Sequence, residues 1–232
     1  MGAYNNNMDK LSKDGSVYCT DESINTATHM AGAVFALFGA LLLVSKSAQA
    51  GKWWHVLAFT IYGFTLVALF TMSALHHGVN GSEKTNRRLR TLDYVAVYAL
   101  ITGTIVPVCL VLFRGTLGYS VLAVSLVVTA FGVTMRSVYH TLPSYVSLTL
   151  YLCLGWLPAL LILLDPSVLP NGGIAWLIAG GLFYTAGSMV YGLEKPNVLK
   201  GRFGFHEIWH VAVLLGAFCH FLFMYWYVLP VK

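Results

Sequence analysis

Seven apolar stretches alternate with short polar connections along the chain, near residues 25–45, 53–76, 92–113, 116–135, 142–164, 173–191 and 205–228. A helix rises 1.5 Å per residue, so each stretch is close to the ~20 apolar residues that cross the hydrocarbon core of a bilayer. The connections carry nearly all the charge, and none is long enough to separate two domains. The pattern predicts an all-α polytopic membrane protein, a seven-transmembrane helix bundle. Residues 1–22 read as a polar cytoplasmic tail and 23–232 as a single transmembrane domain. Gly180, Gly181 and Gly187 in the sixth stretch permit close helix contact. Pro107 and Pro158 fall inside stretches and should kink them. No internal repeat is evident that would point to an inverted-repeat transporter.

Composition agrees with this reading. The chain is 57% hydrophobic and 10% charged, against about 25% charged in soluble domains, and its mean hydropathy is +0.71. The first 22 residues are polar, with Asn5 to Asn7, Lys10, Lys13, Asp14 and Asp21. They lack the apolar core of a cleavable signal peptide. The four cysteines are scattered and form no CxxC, so no disulfide framework is implied. A net charge of +5 reads as membrane orientation and contact with anionic lipid headgroups, not nucleic-acid binding. Protein partners are not legible.

Ten basic residues fall on the N-terminal side of the spans: Lys10, Lys13, Lys84, Arg87, Arg88, Arg90, Arg136, Lys195, Lys200 and Arg202. Four fall on the other side: Lys46, Lys52, Arg114 and Lys232. Basic loops stay in the cytoplasm, so the N-terminus is expected inside and the C-terminus outside. The expected location is the plasma (inner) membrane, as an integral multi-pass protein.

On that topology the unusual polar residues gather at one face. His206 and His210, in His206-Glu207-Ile208-Trp209-His210, are four apart and share a helix face. That spacing lets both imidazoles bind one metal ion. Polar groups at membrane depth are costly and mark function by default. Ser73 and His77 repeat the i, i+4 spacing at the end of span two, and His77 is expected to supply a third nitrogen. Three histidines plus water describe an open catalytic zinc site, in which Zn2+ brings the pKa of a bound water to about 7. Asp93, at the start of span three, is a candidate base, and Ser73 a candidate hydrogen-bonding partner in the same site. The plainer roles are a helix-terminal charge for Asp93 and a small packing residue for Ser73.

His76 competes for the third position, because neighbouring helical residues point about 100° apart and only one can face the site. His77 is preferred since it shares Ser73's face. His29 is left between a supporting and an interfacial role. His220, about 15 Å further along the last span, reads as a packed histidine, and His55 as an interfacial residue of the other face. His140 has no evident partner. The motif also spells His-Glu-x-x-His, in which zincin proteases use the Glu as base. Against a protease, the remaining ligand candidates lie upstream and nothing after His210 is acidic.

These residues match a family pattern. Glu22-Ser-Ile-Asn25-Thr-Ala-Thr-His29, Ser73-Ala-Leu-His-His77, Leu92-Asp93-Tyr94 followed by Thr102-Gly-Thr104 and Pro107, Glu194-Lys-Pro-Asn197, and Gly204-Phe-His-Glu-Ile-Trp-His210 occur in order. From Glu22 onward the chain resembles the hemolysin III family, the bacterial-type branch of the progestin and adipoQ receptors. The resemblance implies seven helices, a cytoplasmic N-terminus and a zinc ion near the cytoplasmic side. It assigns Ser73 with His77, then Asp93, then His206 and His210 to the family's Ser-x-x-x-His, Asp and His-x-x-x-His. The segment between Ser73-x-x-x-His77 and Leu92-Asp93 is slightly longer than in many bacterial relatives, and ungapped alignment to the animal receptors selects His76. Glu207 lies outside the pattern shared with those receptors, which argues against its being the base. The wider superfamily is similar to alkaline ceramidases, zinc amidases acting on lipids. The expected function is therefore a zinc-dependent hydrolase of an acyl amide bond in a membrane lipid. The alternatives are a receptor-like regulator of membrane lipid state and a membrane-lytic protein. A pore finds little support, since no stripe of charges runs through a span.

Overall fold

The computed structural model describes residues 22–139, 143–199 and 203–232. Lys10, Lys13, His140, Lys200 and Arg202 therefore lie outside the described residues. Within them the chain forms α1 (Glu22–Gln49), α2 (Trp53–Gly78), α3 (Glu83–Pro107), α4 (Thr116–Val138), α5 (Ser144–Trp156), α6 (Ala159–Leu164), α7 (Asn171–Leu193) and α8 (Phe205–Phe223). Among the described residues the only extended pairing is an isolated bridge between Leu199 and Phe203. Among the described residues seven helical segments are long and apolar enough to cross a membrane, α5 and α6 together making the fifth. The fold is a seven-helix transmembrane bundle, as the hydropathy predicts.

Two boundaries differ from expectation. Glu22, placed in the tail above, is the first residue of α1. The third span starts nine residues before Leu92, at Glu83. Ser82 caps it by accepting the Thr85 N–H, an interaction worth ~1 kcal/mol, and Glu83 pairs with Arg87 one turn on at 2.7 Å. The first turns of α3 are thus a charged extension that hydropathy alone does not register. Asp93 therefore lies well inside a helix rather than at its start. The prolines act as expected: Pro158 separates α5 from α6, and Pro107 precedes a wide π-helical segment, Val108–Leu112, where a missing N–H disturbs the ladder.

Small residues set the helix contacts that frame the site. A Cβ on Gly78 would stand 2.9 Å from Thr26 Cγ2, so glycine there lets the first turn of α1 close on the end of α2. A Cβ on Gly187 would stand 2.7 Å from Ala212 Cβ, between α7 and α8. Such close approach is how apolar helices gain packing when lipid is as apolar as their side chains. The core between them holds Phe59, Tyr62, Leu66, Tyr98, Ile105 and Phe223.

Candidate metal centre

The start of α1, the end of α2, the start of α8 and the lower part of α3 meet at one end of the bundle. There the structure brings His77, His206 and His210 together. One ring nitrogen of each lies within 4.8 Å of the others, and all three residues are buried. The rings stand about a common centre: His77 to His206 is 5.0 Å at 88°, His77 to His210 is 4.8 Å at 70°, and His206 to His210 is 5.0 Å at 38°. Three nitrogens each about 2.1 Å from a tetrahedral ion stand roughly 3.4 Å apart, inside that limit. The buried Nδ1 of His210 has no hydrogen-bond partner, a condition that costs ~1–3 kcal/mol when nothing compensates. Three imidazoles with no cysteine among them form a donor set that suits zinc at an open site. The residues present fit the ion.

The two histidines at the end of α2 differ in their neighbours. His77 joins His206 and His210, whereas His76 clusters with His77 and Asp93, again within 4.8 Å. Asp93 is half-buried. Ser73 is buried, and with Asp93, His206 and His210 it lines a cavity. The cavity has a volume of about 150 Å³ and lies between α1, α2, α3, α5, α6, α7 and α8, with Ile101, Trp156, Leu177 and His220 also in its lining. His220, expected as a packed histidine, donates from Nε2 to the Leu177 carbonyl at 3.2 Å. His55, in the first turn of α2, is buried and donates to the Val228 carbonyl at 3.2 Å.

Three contacts of the site are set by helix docking. The first is Glu22, whose Oε2 bonds His77 Nδ1. The second is Glu207, fully buried: its Oε2 accepts the Gly204 N–H at 2.7 Å, and its Oε1 accepts from Asn25 Nδ2 at 3.2 Å. Glu207 thus closes the first turn of α8 in the manner of a capping box and fastens α1 to it. The third is His29, whose ring lies 3.9 Å from that of His210 at 31°, a supporting place rather than an interfacial one. The contacts of Glu22 with His77, of Asn25 with Glu207 and of His29 with His210 each join helices far apart in sequence, beyond the reach of spacing. Tyr94 and Tyr191 also meet across the site, hydroxyl to hydroxyl at 3.3 Å, with Tyr191 edge-on to His206 at 5.4 Å.

A seven-helix membrane bundle with a buried three-histidine cluster, an adjacent carboxylate and an apolar cavity defines an integral multi-pass protein able to hold a metal ion near one membrane face. Residues 17–221 match the family model described as Haemolysin-III related. The chain belongs to the hemolysin III family, within the progestin and adipoQ receptor superfamily. It is similar to "Hemolysin-3" of Bacillus cereus, 30% identical over 215 residues that cover 92% of this chain and 94% of that protein. It is 27% identical to the human "Monocyte to macrophage differentiation factor" over 210 residues, 88% and 82% of the two chains. The "Adiponectin receptor protein" of Drosophila melanogaster is 24% identical over 221 residues, 86% of this chain and 49% of that one.

Proposed function

We propose that the protein is a zinc-dependent hydrolase of the plasma membrane that cleaves an acyl bond, an amide of the ceramide type, in a membrane lipid. One observation carries this reading: His206, His210, Ser73 and Asp93 share the lining of one largely apolar cavity. His77, His206 and His210 would hold the ion. When bound, zinc supplies a Lewis acid that polarises a carbonyl and makes a water acidic near neutral pH. The chain's own groups do the rest. Asp93 orients the attacking water and takes its proton. The Ser73 hydroxyl orients that water or donates to the developing oxyanion. The apolar walls seat the acyl chain. Glu207 is not the base, since its two oxygens are committed to Gly204 and Asn25. Exposed Lys84 and Arg88 at the start of α3 line a groove that would draw anionic headgroups, at ~1 kcal/mol per basic residue near the surface. The test is to incubate pure, zinc-loaded protein with a panel of acyl amide and ester lipids and measure free fatty acid. Release well above the His210→Ala background is expected, and none above it removes the hydrolase reading.

A second reading is a receptor-like regulator in which the ion is structural. It is favoured by His29, which brings a fourth imidazole against His210, and by the name of the Drosophila relative, a receptor. A lytic reading rests on the name of the Bacillus cereus relative.

The ten-to-four division of basic residues supports a metal centre at the cytoplasmic face. In a background without native cysteines, impermeant thiol reagent applied from outside should label Ala50→Cys, between α1 and α2, and spare Thr85→Cys. Both positions are exposed, so the reverse pattern would invert the topology.

A further inference from the structure

We propose that Glu22 is a positioning residue of the metal centre, and this rests on the zinc reading above. Its carboxylate bonds Nδ1 of His77. An ionised carboxylate is an acceptor only, so Nδ1 carries the proton and donates. That fixes His77 as the tautomer whose lone pair is on Nε2, and it fixes the ring plane that stands 88° to His206 and 70° to His210. A ligating histidine held by a carboxylate through its other nitrogen is both better oriented and more basic.

The fold is built to deliver this contact. Glu22 is in the first turn of α1, and Gly78 lets that turn close on the end of α2, where His77 lies. Asn25, one turn further along α1, is fully buried and bonds Glu207 of α8. The first two turns of α1 therefore reach both helices that carry the histidine cluster, and Glu22 touches one of its nitrogens. A glutamate that served α1 only as an N-terminal charge would act on the helix dipole and would need no contact with a buried ring. The His77 side chain is 1% exposed and that of Glu22 23%, so the pair is largely shielded from water.

The test measures zinc affinity of the full-length protein by chelator competition, with the absorption spectrum of the Co2+-substituted protein as a second readout. Glu22→Ala is expected to weaken zinc 10- to 100-fold and to change the Co2+ spectrum. Glu22→Gln keeps an oxygen that accepts the Nδ1 proton but lacks the charge, so its affinity should fall between the two. Asn25→Ala loosens α1 without touching the cluster; it should lower the melting temperature of the metal-free protein while weakening zinc less than Glu22→Ala does. If Glu22→Ala folds poorly, the near-isosteric Glu22→Gln carries the comparison. Zinc affinity unchanged in both Glu22 variants overturns the proposal, as does a loss no larger than that in Asn25→Ala, which would trace it to docking of α1. Wild type that takes up neither zinc nor Co2+ overturns the metal reading itself and this role with it, whereas wild type that binds zinc beside undiminished Glu22 variants overturns only the role of Glu22.

Discussion

Purified protein is expected to carry about one zinc per chain, and the double variant His206→Ala, His210→Ala to carry none. The expectation follows from geometry. Three buried imidazoles converge within 4.8 Å, and removing two leaves a single nitrogen, too few to hold an ion at an open site that needs three protein ligands. Elemental analysis of detergent-purified protein reads the result directly. A ligand that binds only the folded state also raises its stability by RT ln(1 + [L]/Kd), about 2.7 kcal/mol at a hundredfold excess over Kd. Zinc should therefore raise the melting temperature of wild type and leave that of the double variant unchanged. The same assay separates the adjacent histidines: His77→Ala is expected to lose the metal, and His76→Ala to keep it, because only His77 stands with both His206 and His210. Undiminished zinc in the double variant would take those two residues out of the site.

Much of this architecture is legible in the chain because the bilayer is a demanding solvent. Every span must satisfy its backbone internally and present apolar side chains, so seven helices can be read from hydropathy alone. The i, i+4 pairs Ser73/His77 and His206/His210 are legible for a similar reason, since helix periodicity fixes which side chains share a face. What is not legible is set by tertiary docking. The charged first turns of α3, Glu83 to Arg90, resemble a loop in hydropathy, and only the Ser82 cap and the Glu83–Arg87 pair reveal them as helix. The contact of Glu22 with His77 and that of Asn25 with Glu207 join residues 55 and 182 positions apart, distances over which no local period carries information. His29 could face lipid or the cluster until α1 is docked, and only then does its ring fall 3.9 Å from His210. The cavity is wholly a product of packing: its walls come from α1, α2, α3, α5, α6, α7 and α8.

Asp93→Asn is expected to keep the zinc and lose ~10²- to 10⁴-fold of lipid hydrolysis, the usual contribution of a positioned general base. A carboxylate at this place needs a reason. Asp93 lies ten residues beyond Glu83, the first residue of α3, and the favourable field of a helix N-terminus fades within the first turn. The plain role of a helix-terminal charge therefore does not account for it. Nor is it a solvated surface group, since it is half-buried and lines the cavity beside Ser73, His206 and His210. Its carboxylate lies within 4.8 Å of nitrogens of His76 and His77. Asparagine keeps the size and the hydrogen-bonding reach of the side chain but cannot accept a proton. The substitution thus leaves His77, His206 and His210 in place while removing the step assigned to Asp93. Zinc content, melting temperature and fatty-acid release from the same preparation then decide between the two readings. Retained metal with lost hydrolysis supports the hydrolase. Retained metal with undiminished hydrolysis removes Asp93 as the base, and retained biological function in cells expressing a hydrolysis-dead Asp93→Asn protein makes the ion structural and the protein a regulator.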